Sequence, residues 1–174
     1  MKKNNTILKQ SVSNTIHEGK QFPEGRSFAY LTVGRIGKYT GIGRLDFGGS
    51  EYAEADVEWL APVKKSSDDT YGWWHLTPGA YLVLFNESVE VPAGKRFYLQ
   101  IWEKAARNAA SIPFAILEGG QGSAGQKPDR QPSAGQGAAG QDSGPDPLSC
   151  TLFVGGAGIE IKENARLAQL GVLD

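Results

Sequence analysis

The 174-residue chain holds one cysteine, one methionine and two histidines. A lone Cys150 cannot close an internal disulfide, and it reads as a small buried apolar residue rather than a nucleophile. With a single thiol, His17 and His75 offer no zinc-ligand spacing and no Ser-His-Asp set. A dominant charge is missing as well. The formal net charge is -1 and no basic stripe runs along the chain, so bulk nucleic-acid binding through phosphate neutralisation is not expected. Small anionic ligands stay open, since a few local Arg and Lys suffice for them. No apolar run nears the ~20 residues that a membrane-spanning helix needs. Residues 1–10 are polar, with Lys2, Lys3 and Lys9 and no apolar stretch behind them, unlike a signal peptide. The expectation is a soluble cytoplasmic protein with no membrane or nucleic-acid partner.

What the chain does have is turn formers: 23 Gly and 9 Pro, beside enough apolar side chains for one core. Helical periodicity is scarce. The pattern predicts an all-β or β-rich fold, with at most one short helix.

Residues 1–27 are polar and broken by Gly19, Pro23 and Gly25, which predicts a loosely packed N-terminal arm ahead of a β domain at 28–174. Phe28 to Val33 reads as a strand. Gly34 to Gly43 is glycine-rich and reads as a turn between strands. A phosphate loop does not fit there, because Thr32 stands where the motif needs its first glycine. Tyr52 to Leu60 alternates, so on a strand Glu54, Asp56 and Glu58 share a face. Three carboxylates can hold a divalent cation, but nothing nearby resembles a further ligand, and a solvated face is preferred.

Trp73 and Trp74 read as core or subunit-contact aromatics. Ala80 to Phe85 is a buried strand by length and flanks, Arg96 to Trp102 alternates, and Glu103 to Ala110 suggests about two helical turns. Residues 119–144 are low in complexity: Ser123-Ala124-Gly125-Gln126 recurs at Ser133-Ala134-Gly135-Gln136. With almost nothing apolar to bury, that segment reads as a flexible insertion. Thr151 to Val154, Ile159 to Ile161 and Arg166 to Leu173 read as closing strands.

Two blocks carry a resemblance. Leu76-Thr77-Pro78-Gly79-Ala80-Tyr81-Leu82-Val83-Leu84, followed by Glu90-Val91-Pro92-Ala93-Gly94, resembles the dUTPase/dCTP deaminase superfamily. So does Gly158-Ile159-Glu160-Ile161-Lys162-Glu163-Asn164-Ala165-Arg166-Leu167-Ala168-Gln169-Leu170, which is similar to the family's closing motif. The resemblance implies a distorted β-barrel of the dUTPase-like β-clip type, usually a homotrimer with sites between subunits. It implies a deoxynucleotide ligand, and either dUTP hydrolysis with magnesium or dCTP deamination by a glutamate proton shuttle.

The family's motifs carry over poorly. Its phosphate motif, arginine-serine-serine-leucine-alanine-arginine, is matched by Trp102-Glu103-Lys104-Ala105-Ala106-Arg107, where only Arg107 survives. A carboxylate at Glu103 repels phosphate where the family offers hydroxyl donors. The catalytic aspartate maps to Asp146, followed by Pro147-Leu148 without the family's hairpin aromatic, so Asp146 is equally a turn residue. Phe153 takes the place of the deaminase glutamate, and a hydrocarbon ring cannot relay protons. Gln169 matches the closing motif's glutamine.

Two readings follow from the resemblance. The first, preferred, is a homologue with degraded catalytic motifs and a structural, regulatory or ligand-binding role. The second is an active deoxynucleoside triphosphate pyrophosphatase of the dUTPase type, using Asp146, Arg107 and Gln169 with Mg2+. No metal-ligating residues and no certain cofactor stand out.

Overall fold

A computed structural model of the chain describes residues 2–120 and 147–173. Strand predominates over helix, 44% against 11%, and the main sheet curls into a half-barrel. The segment 121–146, with most of the expected insertion and Asp146, lies outside the described residues.

The chain opens with α1 (Lys2–Ser11), β1 (Val12–Ser13) and α2 (Glu18–Gln21). This differs from the loosely packed arm expected for residues 1–27, because Leu8, Ser11, Val12, Gln21 and Phe22 are buried. A few inward side chains anchor an otherwise polar segment, and Lys9 Nζ ties α1 to Glu18 of α2 at 2.7 Å. β2 (Phe28–Tyr39) then runs through Gly34 and Gly37, the first two of the four glycines expected to form a turn, and ends before Gly41 and Gly43. Gly34 and Gly37 serve close approach within the strand. A Cβ at Gly34 would collide with Asn86 beside a register shift, and one at Gly37 would collide with Val57 and Trp59. Of the alternating stretch 52–60 only β3 (Val57–Trp59) is a strand. Glu54 and Asp56 fall outside it, so the three carboxylates do not share a strand face.

β4 (Trp73–Leu76), β5 (Gly79–Phe85), β6 (Ser88–Val89) and β7 (Arg96–Ile101) follow. β5 buries Tyr81, Val83 and Phe85 on one face, as its apolar run predicts. α3 (Glu103–Ala106) is one turn rather than two, because Ala109 turns to φ 58° and β8 (Ala110–Ser111) begins. β9 (Ala115–Glu118), β10 (Ser149–Val154), β11 (Ile159–Lys162) and β12 (Arg166–Leu173) complete the fold. The described residues therefore carry three short helical segments, against the one expected at most.

The main sheet runs β8-β10-β5-β2-β12-β7-β9, with β3 added on β2. β2 pairs with β12 along its first half and with β5 along its second, which turns the sheet around the core. The core gathers Leu31, Val33, Ile36, Val83, Phe85, Phe97, Leu99, Leu152, Leu167 and Leu170. Two small pairs, β1-β6 and β11-β4, close over it. Trp74 is buried within its own chain, its Nε1 donating to Leu60 O at 2.9 Å. Trp73 is half-buried beneath the ammonium groups of Lys65 and Lys162. Among the described residues no helix is long and apolar enough to cross a membrane.

Candidate functional site

β12 is the middle strand of the site. Ala168, Leu170 and Val172 face the core, so Gln169 and Gly171 face outward. Across the ladder Gln169 stands opposite Gln100 of β7 and Tyr30 of β2. Gln100 Nε2 donates to Gln169 Oε1 at 3.0 Å. One step along, Gly171 stands opposite Tyr98, whose ring lies where a Cβ at Gly171 would have to be. Phe114 stacks on Tyr98, with ring centroids 6.4 Å apart. The outer face of the sheet is thus an aromatic and amide surface.

At the start of β12 this surface meets a cluster of rings. The Arg166 guanidinium lies 4.7 Å from the centroid of Tyr30 and 4.9 Å from that of Trp102. Tyr30 and Trp102 also pack edge to face at 5.6 Å. Cation–π attraction on two sides holds the guanidinium in place. The tight turn before β12 depends on Asn164, which adopts φ 61°, and its side-chain oxygen accepts from Asn86 Nδ2 at 2.9 Å.

Beside Arg166 opens a cavity of about 310 Å3 lined by Ile16, His17, Lys20, Gln21, Thr32, Trp102, Asn164, Ala165 and Arg166. None of these residues is acidic. Neither Lys20 nor Arg166 forms an ion pair among the described residues. The polar wall is occupied from behind by Glu87, which is fully buried. Its Oε1 accepts from Gln21 Nε2 and Thr32 Oγ1, each at 2.5 Å, and its Oε2 accepts from Thr32 N at 2.8 Å. Burial pushes the carboxyl above the usual carboxylate range, against the lowering effect of those hydrogen bonds.

The residues expected from the family motifs are dispersed. Arg107 closes α3 and is exposed, and its Nη2 pairs with Glu103 Oε1 one helical turn earlier. The residue matched to the phosphate motif is thus tied to the carboxylate that replaced a serine. Gln169 is held by Gln100, and Asp146 lies outside the described residues. Phe153 is exposed on β10, between Ala80 of β5 and Ser111 of β8. His75 is exposed and pairs with Glu160 at 2.9 Å. Among the described residues no three of His, Cys, Asp and Glu gather into a group that could hold a metal. The cavity itself was not apparent in the sequence. Its residues come from four distant segments, and no local sequence signal joins them.

No family model matches the chain. Two curated proteins are similar to it, each with the name "Probable deoxyuridine 5'-triphosphate nucleotidohydrolase", from Methanosarcina acetivorans and Methanosarcina mazei. Each is 26% identical over 140 residues, which is 80% of this chain and 66% of the relative. The chain therefore spans just under two thirds of the length of the curated relatives it matches. Among solved structures, 2'-deoxycytidine 5'-triphosphate deaminase from Agrobacterium tumefaciens superposes with a TM-score of 0.54. That match covers 94% of this chain and 44% of the deaminase at 13% identity, a likeness of fold.

Proposed function

The chain belongs to the dUTPase/dCTP deaminase superfamily, and from that premise we propose that it is a divergent member with degraded nucleotide chemistry. In this reading the β fold is retained for a structural, regulatory or ligand-binding role. One observation carries it: Arg107, the surviving residue of the phosphate motif, is paired with Glu103. A phosphate approaching α3 meets an exposed cation beside a carboxylate instead of hydroxyl donors. Loss of one preorganised donor costs about 3–4 kcal/mol of barrier, and here several are replaced. Phe153, at the place of the deaminase glutamate, adds a separate argument against deamination.

The second reading is an active deoxynucleoside triphosphate pyrophosphatase using Asp146, Arg107 and Gln169. The names of the two curated relatives favour it. Magnesium belongs to that alternative alone. Pyrophosphate release measured over all deoxynucleoside triphosphates with magnesium separates the two readings.

A homotrimer and a cytoplasmic location are part of the same proposal. Trp73 and Trp74, the expected contact aromatics, are used within the chain. Ile42, Leu45 and Phe47 are instead the large apolar side chains most exposed, and a subunit contact would cover them. Light scattering should return three times the chain mass, and a monomer mass at micromolar concentration would count against the trimer. We also propose that residues 119–144 are an insertion that the β domain folds without.

A further inference from the structure

The fold leaves two apolar surfaces uncovered, a projecting loop and one outer face of the main sheet. We propose that residues 40–56 form an arm whose apolar tip docks on the outer face of β2, β3, β5 and β10 in a second copy of the chain. This names the two surfaces that meet in the proposed assembly and rests on that reading.

The arm is held in shape by its own backbone. Thr40 N donates to Asp56 O at 2.9 Å, and Arg44 and Ala53 exchange backbone bonds at 2.8 and 3.1 Å. This short antiparallel ladder carries Ile42, Leu45 and Phe47, all close to fully exposed. Three large apolar side chains so placed on one loop form a patch, unlike apolar residues scattered singly over a surface. The receiving face follows from strand alternation. Tyr81, Val83, Phe85, Leu152 and Val154 are buried in the core, so Leu82, Leu84 and Phe153 point outward. The register brings Tyr39, Val57 and Trp59 onto the same side. Tyr39 Oη and Thr151 Oγ1 meet at 3.3 Å over β5, which ties β2 to β10 across this face.

Where the arm leaves the sheet, a cleft of about 570 Å3 opens, lined by Tyr39, Val57 and Leu82 from the sheet and by Leu45, Tyr52 and Glu54 from the arm. The arm's own tip does not fill it, since Phe47 is fully exposed. Charge selects the occupant. Residues 40–56 carry four carboxylates, Asp46, Glu51, Glu54 and Asp56, against one cation, Arg44. Among the described residues of the receiving face the one charged side chain is Arg35, held 4.0 Å over the ring of Trp59. Two arms meeting tip to tip set acid against acid, whereas an arm on the face sets acid beside a guanidinium. The contact is therefore between unlike surfaces. Such a contact passes from copy to copy and ends in a ring when the rotation closes, and a trimer is one such closure.

The test is the mass of the full chain and its variants by light scattering at micromolar concentration, with circular dichroism as a check of the fold. The parent is expected to be oligomeric. Phe47→Glu on the arm and Arg35→Glu on the face are each expected to raise the dissociation constant about thirtyfold or more and give monomers. Both residues are exposed, so both variants keep the fold. Ile116→Glu, at an exposed position on β9, is expected to keep the parent mass. An equimolar mixture of the two monomeric variants is expected to give a species of two chains, because an intact arm then meets an intact face. A mixture that stays monomeric would overturn the proposal, since arms would then meet arms. Loss of mass in Ile116→Glu alone would overturn it too, by placing the contact at β9. An oligomer that survives both Phe47→Glu and Arg35→Glu would overturn the docking and leave the assembly standing, whereas a monomeric parent would remove both.

Discussion

Gln21 and Glu87, 66 residues apart, meet in the interior, where the amide of one donates to the carboxyl of the other at 2.5 Å. The same carboxyl holds the backbone and hydroxyl of Thr32. Through this contact the N-terminal segment is fastened to β2 and to the wall of the cavity.

Glu87→Ala should therefore destabilise the chain by on the order of 3 kcal/mol, since it strands a buried amide and a buried backbone N–H. The pH dependence has a defined sign. The folded carboxyl titrates above the ordinary value of 4.5, so the folded chain keeps a proton that the unfolded chain has released. The stability from this proton is complete below about pH 4.5 and is lost as pH rises through the folded value. Urea unfolding across a pH series should show that decline in the parent chain, and its loss in Glu87→Gln. An unchanged decline in the variant would assign it to another group.

Gly171 supports the ring of Tyr98. Gly171→Ala should displace the ring and cost about 1–3 kcal/mol, the usual range for overpacking. Tyr98→Ala should absorb most of that cost, so a double-mutant cycle should give a coupling well outside additivity. Additive effects would mean that the glycine serves the backbone rather than the ring.

Cys150 is half-buried on β10, and burial pushes its thiol up to about 12 from 9.0. At pH 8 its thiolate population should be on the order of 1000-fold below that of a free thiol. Iodoacetamide should leave the folded chain unmodified over hours and alkylate it promptly in urea. Rapid alkylation of the folded chain would show that β10 opens.

The strands that bury one face completely could be read from the sequence. β12 has the expected bounds, and β5 was visible as an apolar run between turns, because burial leaves a local signature. The sequence pattern ends β2 at Val33, since glycines that make room for Asn86, Val57 and Trp59 look like turn glycines in composition. The N-terminal helices leave little signal in the sequence, because few side chains hold them and one of these, Gln21, is polar. The pairing of Arg107 with Glu103 follows from helical spacing and was within reach. The cavity was not, because Lys20, Thr32, Trp102 and Arg166 are joined only by the fold.

The central claim is that nucleotide turnover has decayed on a preserved fold, and a kinetic assay tests it most directly. Purified chain is incubated with dUTP and, separately, dCTP in the presence of magnesium, and products are resolved by chromatography. The account predicts no deaminated product from dCTP. It predicts pyrophosphate release from dUTP at least about 1000-fold slower than one turnover per second, as expected when anion-binding donors are lost. Release from dUTP at about one per second, abolished by Asp146→Asn, would contradict it and make the chain a working hydrolase with Asp146 as its base.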